Sequence, residues 1–356
     1  MPIIRILLLP FAFLYKLATD FRNHLFDVGS KKSIEFDRYI ISVGNLTVGG
    51  TGKTPFVELL IRELKTKYQL AVLSRGYKRK TRGFKLADEN DDSKTLGDEP
   101  FQYFTKYGKE IRVAVGEKRA RAIPEIIFYD EKIEVIILDD AYQHRSVKPH
   151  LNILLNDYYR PFYRDYVLPS GLLRESRNHA KRADIVVVTK CPEELEKQDM
   201  DYIEQQIGKY SGKTTPVYFT GIKYLQPQRL FGNQKFSENV FLFTGIANAS
   251  PLEDFVEKYY NLLGHRKYSD HHSFSKEDLA GLIKSFEEIN FDHKCLLTTE
   301  KDMVRLISAE EETRFLINYP VFYLPIELYF LENGDCFANE LENKVKIGLK
   351  ELVTNE

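Results

Sequence analysis

Short runs of continuous apolar residues recur along the first half of the chain and predict buried parallel strands. Most runs are separated by stretches long enough for a helix, such as 56–67 and 118–129. A parallel strand that is covered by helices on both faces needs apolar residues at every position rather than at alternate ones. The pattern therefore predicts a doubly wound α/β domain with a mostly parallel sheet. The runs rich in β-branched residues are 39–43, 70–73, 112–115, 134–138, 152–155 and 184–188.

A second, shorter series of strand-like runs follows a polar passage dotted with glycine and proline. The runs lie at 240–243, 295–298 and 321–324, with helical patterns at about 251–263 and 276–289. At 356 residues the chain is long enough for two α/β domains. We predict a core domain, a linker and a smaller C-terminal α/β domain, with the boundaries 34–215, 216–239 and 240–356.

The N-terminal segment is more apolar than the rest of the chain, which has the character of a soluble protein. Its apolar run over residues 1–17 is interrupted by Arg5, Pro10 and Lys16, and a spanning helix needs roughly 20 largely apolar residues. No small-residue cleavage site of a secretory signal follows it. Residues 1–33 hold five Lys or Arg against two Asp, so we predict an amphipathic helix that lies in the membrane interface. Packing on the protein's own core or in a dimer is the alternative.

The net charge and the cysteine content argue against several classes of function. The net charge of -1 gives no global field of the kind that nucleic-acid binding proteins carry. The three cysteines lie far apart and form no Cys-x-x-Cys pair, so neither a disulfide framework nor a zinc site is indicated. A reducing cytoplasm fits this usage.

A glycine-rich segment directly after the first predicted strand carries the first chemistry. Glycines let backbone N–H groups approach phosphate oxygens, Lys53 reaches the β- and γ-phosphates, and Thr54 offers a hydroxyl to Mg²⁺. Pro55 then opens a helix. The usual P-loop pattern has glycine at the position of Thr47, so this loop is a variant. We predict that nucleotide phosphates are bound by Thr47, Val48, Gly49, Gly50, Thr51, Gly52, Lys53 and Thr54.

Two acidic residues end the apolar run 135–138. Asp139 and Asp140 lie where a P-loop enzyme places the carboxylate that binds Mg²⁺ directly or through water. On its own, such a pair is more often a turn or a helix cap, but the preceding P-loop favours the metal role. Gln143 and His144 follow within one turn and can face the same phosphates. The expected fold is a P-loop NTPase-like α/β sheet with a second, smaller α/β domain and an N-terminal amphipathic membrane-associating helix.

Seven short motifs occur in an order that resembles the tetraacyldisaccharide 4′-kinase family of the lipid A pathway. The resemblance runs from the N-terminal apolar segment to about residue 306, and Thr47 matches that family's own loop variant. It implies transfer of the ATP γ-phosphate to the 4′-hydroxyl of a tetraacylated glucosamine disaccharide 1-phosphate, with Mg²⁺, at the cytoplasmic face of the bacterial inner membrane. The motifs are GNLTVGGTGKTP at 44–55, LSRGY at 73–77, GDEP at 97–100, LDDAYQH at 138–144, LRE at 173–175, DH at 270–271 and TEKD at 299–302.

The resemblance also favours particular side chains. Arg119 and Arg174 are expected to neutralise charge on the transferred phosphoryl group, and Glu175 to hold metal or position an arginine. Each of them alone would more often form a surface ion pair. The predicted metal set is Thr54, Asp139, Asp140, Gln143 and Glu175.

A general base is needed because the sugar hydroxyl must lose its proton as it attacks phosphorus. Asp98, at a predicted helix start, is the candidate, with a simple N-cap as the alternative. His271 in the second domain is expected to orient this carboxylate and share the proton. We prefer His271 to His272 because it directly follows Asp270, as in the family's pattern. The segments 244–248 and 299–302 are assigned to the interdomain cleft.

The main alternative is a P-loop NTPase that couples hydrolysis to a protein partner, such as a metallochaperone GTPase. Such a protein needs an Asn/Thr-Lys-x-Asp signature, and the run 188–191 is followed by Pro192 instead of aspartate. A non-catalytic membrane scaffold is contradicted by the intact Lys53, Thr54 and Asp139. The expected partners are therefore ATP, Mg²⁺, a lipid-linked disaccharide and the membrane surface, with no nucleic acid and no obligate protein partner.

Overall fold

The structure is a computed structural model that describes residues 3–354, and these residues form a larger and a smaller α/β domain. The strands are β1 (Tyr39–Asn45), β2 (Leu70–Ser74), β3 (Lys85–Leu86), β4 (Arg112–Val115), β5 (Val135–Leu138), β6 (Leu151–Asp157), β7 (Ile185–Thr189), β8 (Val217–Tyr224), β9 (Gln228–Phe231), β10 (Asn239–Thr244), β11 (Asn261–Lys267), β12 (Lys294–Thr299), β13 (Val321–Leu324) and β14 (Ile326–Phe330).

The α-helices are α1 (Ile3–Leu7), α2 (Leu9–Asp27), α3 (Lys53–Leu64), α4 (Ser93–Leu96), α5 (Asp98–Tyr107), α6 (Arg119–Tyr129), α7 (Lys197–Ser211), α8 (Ser250–Tyr259), α9 (Lys276–Glu288), α10 (Glu300–Ile307), α11 (Glu310–Thr313) and α12 (Gly334–Thr354). Short 3₁₀ turns cover Phe162–Arg164, Arg177–Arg182 and Arg314–Asn318.

The larger domain is built on a nine-stranded sheet in the order β14-β8-β7-β6-β1-β5-β2-β4-β3. Only the two edge strands, β3 and β14, run antiparallel to their neighbours. All seven residues of β1 are buried, because helices cover both faces of the sheet. Ile41 and Val43 pack towards α3, whereas Ile40 packs with α6 on the opposite face. The predicted doubly wound, mostly parallel sheet is confirmed.

The smaller domain has a five-stranded sheet in the order β11-β10-β12-β13-β9. Its strands are parallel except β9, which pairs antiparallel with β13. Helix α9 packs on one face through Leu279, Leu282 and Phe286, and α8 packs on the other through Leu252 and Val256. The second α/β domain is therefore present.

The domain boundaries differ from those predicted from the sequence. The predicted linker 216–239 instead supplies β8 to the larger sheet and β9 to the smaller one. After β13 the chain returns, because β14 pairs with β8 and α12 packs on the larger core through Phe337, Leu341 and Val345. The sequence does not show this return, since hydrogen bonding joins segments about 100 residues apart. The chain thus crosses between the domains twice.

The predicted N-terminal helix is present as α1 and α2. One side of α2 faces the protein through Ala12 and Asn23, which are buried. The other side exposes large apolar side chains, including Phe13, Leu14 and Phe21, each about three-fifths exposed. Across residues 3–354, none of the helices combines the length and apolar character needed to cross a bilayer.

Candidate active site

The P-loop connects β1 to α3 at the carboxyl end of the sheet. Gly52 caps α3 with φ of 75°, a left-handed conformation that favours glycine, and no side chain caps the helix. The N–H groups of its first turn are therefore available to an anion, which the helix dipole also favours. Gly44 at the end of β1 lies against Tyr142, where an added Cβ would be 2.7 Å from the Tyr142 backbone nitrogen. Glycine is required there to let the two segments approach.

Two neighbouring segments hold the loop in place. The Thr189 hydroxyl, at the end of β7, donates to the carbonyl oxygen of Thr51 over 2.9 Å. The Val48 N–H donates to the carbonyl oxygen of Leu172 over 2.8 Å. The Lys190 ammonium lies against the Gly50 carbonyl oxygen and pairs with an Asp157 carboxylate oxygen at 2.7 Å. The loop is thus fixed by the main sheet before any ligand arrives.

Lys53 and Arg174 meet at one carboxylate. The Lys53 Nζ lies 3.5 Å and the Arg174 Nη1 2.9 Å from Asp140 Oδ1. Burial alone would raise the pKa of Asp140, but the two cations hold it below the usual 3.8. Two positive groups against one carboxylate leave an excess of positive charge beside the free first turn of α3. This arrangement suits a polyphosphate.

Asp139 has the opposite environment from its neighbour. Its Oδ2 accepts hydrogen bonds from the hydroxyls of Ser74, at 2.9 Å, and Tyr103, at 3.4 Å. Its Oδ1 is buried and has no partner among the described residues. Burial, together with the charges of Asp140 and Glu99, raises the pKa of Asp139 from 3.8 to about 6. A buried carboxylate oxygen without a partner is a position for a cation.

The oxygen donors at this edge fit magnesium. Hydroxyl and carboxylate oxygens are the hard ligands that Mg²⁺ prefers, usually with only one or two carboxylates and the substrate phosphates. Thr54 in the first turn of α3, Asp139 and Asp140 supply such oxygens. No group of three or more His, Cys, Asp or Glu side chains suited to holding a metal occurs within residues 3–354. Phosphate oxygens would therefore have to complete the coordination.

Glu175 and Gln143 are placed differently from what a metal role requires. Glu175 is buried, and its oxygens accept hydrogen bonds from Asn23, Gln143 and Arg182, at 2.5–3.0 Å. The Gln143 side chain also donates to the carbonyl oxygen of Asn45 over 2.9 Å. Both side chains use their polar atoms within the protein. In the structure they therefore support the segments around the P-loop, and their role as metal ligands stays a prediction.

Arg119 lies beneath the site. It is fully buried, and it donates to the backbone carbonyl oxygens of Asp139, over 2.9 Å, and Gly116. Burial lowers the pKa of Arg119 from 12.5 to about 10. Its guanidinium therefore holds the turn that carries Asp139 and Asp140, a contact that sequence reasoning did not predict.

Helix α2 also touches the site. The Tyr15 hydroxyl donates to the carbonyl oxygen of Arg174 over 2.9 Å, and Arg22 donates to that of Gln143 over 3.0 Å. Asp20 contacts His179 at 2.9 Å between Oδ1 and Nε2. The sequence carried no signal for these contacts, since the helix is more than 100 residues from its partners. The segment predicted to meet the membrane is therefore also a wall of the phosphate site.

Asp98 and His271 come together across the domain boundary. The distance from His271 Nδ1 to Asp98 Oδ2 is 3.0 Å. Asp98 is the first residue of α5, and Gly97 is the capping residue, without a side-chain cap hydrogen bond. His272 turns away, with its Nε2 2.9 Å from Asp278 Oδ2. The predicted pairing and the preference for His271 thus agree with the geometry, while the roles of both groups stay a prediction.

Arg305 is a third member of this cluster that the sequence analysis missed. Its Nε donates to Asp98 Oδ2 over 2.8 Å, and its Nη1 donates to the carbonyl oxygen of Gly245 over 2.6 Å. Burial would raise the pKa of Asp98, but His271 and Arg305 hold it below 3.8. The available signal was the spacing, since Arg305 lies one helical turn after Asp302 and pairs with it at 2.9 Å.

Comparison with known proteins gives one consistent result. The sequence model of the family described as Tetraacyldisaccharide-1-P 4′-kinase, or LpxK, matches residues 4–346. A tetraacyldisaccharide 4′-kinase of Flavobacterium johnsoniae is 40% identical over 355 residues, which is 98% of this chain and 100% of that protein. One of Bacteroides thetaiotaomicron is 40% identical over 349 residues, 94% of this chain and 91% of that protein.

A solved structure agrees with these sequences. The crystal structure of LpxK from Aquifex aeolicus in complex with ATP superposes with a TM-score of 0.73 at 26% identity, and covers 96% of this chain and 99% of that one.

We predict that Asp139→Asn stabilises the protein in the absence of nucleotide and Mg²⁺. Between pH 3.8 and about 6 the folded state holds more protons at Asp139 than the unfolded state, so the free energy of unfolding falls as pH rises. At pH 8 the full penalty is present, and removing it should raise the free energy of unfolding by about 1–3 kcal/mol. Urea denaturation at pH 8 and pH 5 measures this, and the gain should shrink at pH 5.

Asp140→Asn is the matched control. The Asp140 pKa is lowered, so its contribution to stability is present above pH 3.8, and the variant should lose stability at pH 8. If Asp139→Asn were the less stable of the two at pH 8, the assigned charge environments would be incorrect.

Proposed function

The chain belongs to the tetraacyldisaccharide-1-phosphate 4′-kinase family, and from this membership we propose that it transfers the γ-phosphate of ATP to the 4′-hydroxyl of a tetraacylated glucosamine disaccharide 1-phosphate. The observation that carries the proposal is the uncapped first turn of α3 with Lys53 and Arg174 beside it. This arrangement binds and polarises a polyphosphate, as phosphoryl transfer requires. No observation favours the alternative of a partner-coupled GTPase.

The phosphate site assigns distinct tasks to its side chains. The backbone N–H groups of residues 49–54 cradle the phosphates, whereas that of Val48 donates to the carbonyl oxygen of Leu172. Lys53 and Arg174 are held at Asp140 in the free protein, and they can turn from this carboxylate to the phosphoryl oxygens. Arg119 keeps the turn of Asp139 and Asp140 in place.

Magnesium would be held by Thr54, Asp139 and Asp140. A bound Mg²⁺ would neutralise part of the phosphate charge. The buried, unpartnered Oδ1 of Asp139 supports this assignment. Glu175 and Gln143 act indirectly, because they fix the P-loop and the segment that carries Arg174.

The proton of the sugar hydroxyl is proposed to pass to Asp98. One oxygen of this carboxylate, Oδ2, lies 3.0 Å from His271 Nδ1 and accepts from Arg305, so the other remains for the substrate hydroxyl. These two contacts fix the orientation of the carboxylate. His271 is proposed to orient this carboxylate and to share the proton.

The substrate is a lipid, so we propose that the N-terminal helices bring the protein to the cytoplasmic face of the bacterial inner membrane as a peripheral protein. The support is the exposed apolar side of α1 and α2, which no described residue covers. A helix of this kind lies at the boundary between headgroups and acyl chains. The inner side of α2 contacts the phosphate site, so membrane binding would place the site beside the lipid headgroups. That the protein needs no obligate protein partner stays a prediction.

The kinase prediction is tested by ATP consumption with and without a tetraacylated disaccharide 1-phosphate. We expect turnover to depend on the lipid, and Lys53→Ala to lower kcat on the order of 10²-fold or more, because one preorganised charge on the transferred group is lost. Lys65→Ala, at the other end of α3, is the control. Turnover that ignores the lipid would favour the NTPase alternative.

The membrane prediction is tested on α2 with point substitutions, since deleting the helix would also remove its contacts to Arg174 and Gln143. We expect Phe13→Ser/Leu17→Ser/Phe21→Ser to weaken binding to anionic vesicles by about tenfold or more, because each buried apolar side chain contributes on the order of 1.5–3 kcal/mol. Vesicle sedimentation measures it. Phe128→Ser, a substitution at an exposed phenylalanine on α6, should bind normally. Equal binding by the triple variant and the wild-type protein would disprove the membrane role.

The general-base prediction concerns Asp98 and His271 as a unit. Asp98→Ala and His271→Ala should each lower kcat with little change in the KM for ATP. The double variant should be scarcely worse than the poorer single one, because residues that act together are non-additive. His272→Ala, whose ring faces Asp278, is the matched control. Fully multiplicative losses in the double variant would argue against a dyad.

A further inference from the structure

Helices α5 and α10 form an antiparallel pair across the domain boundary. Helix α5 belongs to the larger domain and begins with Asp98, whereas α10 belongs to the smaller domain and carries Arg305 near its end. At one end of the pair Arg305 contacts Asp98. At the other end Lys106, in the last turn of α5, contacts Glu300, the first residue of α10. An ion pair thus closes each end of the interface.

Apolar side chains fill the space between the two ion pairs. Phe101 of α5 packs with Met303 and Val304 of α10, and Leu96 and Val115 complete the cluster. All five are buried. The seam is therefore dry and close-packed, and a shift at one end is transmitted to the other.

Lys106 joins three helices. Its Nζ lies 2.5 Å from Glu58 Oε2, on α3, and 2.7 Å from Glu300 Oε1, on α10. Both carboxylates are buried, with Glu58 1% and Glu300 5% exposed. Gln102 donates to the remaining oxygen of Glu58 over 2.8 Å. The partner on α3 is five residues after Lys53, so this bridge reaches the helix that binds the nucleotide.

The Lys106 ammonium neutralises the two carboxylates of this cluster. Burial and the neighbouring Glu58 raise the pKa of Glu300, and the Lys106 ammonium opposes this rise. Without the ammonium, Glu300 would either take up a proton or face the Glu58 carboxylate without a counter-charge, and removal of one partner from a buried ion cluster is strongly unfavourable. A third ion pair between α5 and α10, Lys301 with Glu99 at 3.4 Å, is more exposed and contributes little.

We propose that Lys106 is a positioning residue whose bridge between Glu58 and Glu300 fixes the Asp98–His271 pair relative to the nucleotide-binding end of α3. The inference rests on the proposed function, because the pair must act on a hydroxyl held at the γ-phosphate. Lys106 touches neither nucleotide nor acceptor in this assignment. It acts by holding α10, and with α10 Arg305, against α5.

The test combines kinetics with a distance measurement on the full chain. Nitroxide labels are attached at Cys336, the exposed cysteine of α12 in the larger domain, and at an introduced Lys284→Cys on α9 in the smaller domain. Cys191 and Cys295 are buried. Pulsed electron resonance then reports the distance between the domains. We expect Lys106→Met to lengthen or broaden this distance and to lower kcat by about 10–100-fold, with the KM for ATP changed by less than about threefold.

Two further variants separate positioning from loss of folding. Lys106→Arg keeps the charge, and the cavity of about 460 Å³ that Lys106 and Glu300 line leaves room for the larger guanidinium, so kcat and the distance should stay near wild type. Adding Glu300→Gln to Lys106→Met removes the repulsion and should restore part of kcat. Lys67→Met, which breaks the exposed pair of Lys67 with Glu342, is the matched control and should change neither.

The outcomes test the proposal for Lys106 as follows. A wild-type distance in Lys106→Met overturns the proposal, whether or not kcat falls. A longer distance with unchanged kcat also overturns it, since the position of the pair would then not matter. If Asp98→Ala and His271→Ala retain near-normal kcat, the dyad itself fails, and the distance in Lys106→Met shows separately whether Lys106 holds the domains together.

Discussion

The first turn of α3 sets the chemistry of the residues around it. Because Gly52 caps the helix without a side-chain hydrogen bond, its N–H groups keep a positive potential at the edge of the sheet. The protein balances this potential with Asp140, which also holds Lys53 and Arg174. Among residues 3–354, Asp139, one residue earlier, forms no ion pair and is buried with an oxygen that has no hydrogen-bond partner. The two adjacent carboxylates therefore have different environments: Asp140 is paired with Lys53 and Arg174, and Asp139 is suited to a metal ion.

The path of the chain explains how the second domain contributes side chains to this site. The chain leaves the larger sheet after β8 and returns through β14, so the smaller domain is an insertion between two paired strands. Because two chain segments join the domains, the smaller domain is less free to move than it would be on a single linker. His271 and Arg305 can therefore meet Asp98 with defined geometry although they belong to another sheet. The α5–α10 interface, with ion pairs at both ends, is where that geometry is set.

Much of this could be predicted from the sequence, and the limits have physical causes. The P-loop, the strand before Asp139 and the N-terminal helix are local patterns, so periodicity and motif spacing suffice for them. The placement of β8, β14 and α12 depends on pairing between distant segments, and their apolar residues look the same in either domain. Arg119 was expected to face phosphate, and Glu175 to hold metal or position an arginine, because a sequence shows that a charge is present but not which partner neutralises it. In the structure Arg119 donates to backbone carbonyl oxygens, and Glu175 accepts hydrogen bonds from Asn23, Gln143 and Arg182.

Helix α2 connects the exposed apolar surface of the N-terminus with the phosphate site. Its outer side is apolar and exposed, while its inner side contributes Tyr15, Arg22 and Asn23 to the segments that carry Arg174, Gln143 and Glu175. Such a helix cannot be a detachable anchor, because removing it would leave the buried Glu175 without one of its donors. An amphiphilic substrate with acyl chains in the bilayer and a sugar hydroxyl at the phosphate site would run along the same helix from one side to the other. The same short segment therefore carries an exposed apolar side and takes part in a buried polar network at once, and the proposed membrane role would use the first while the phosphate site uses the second.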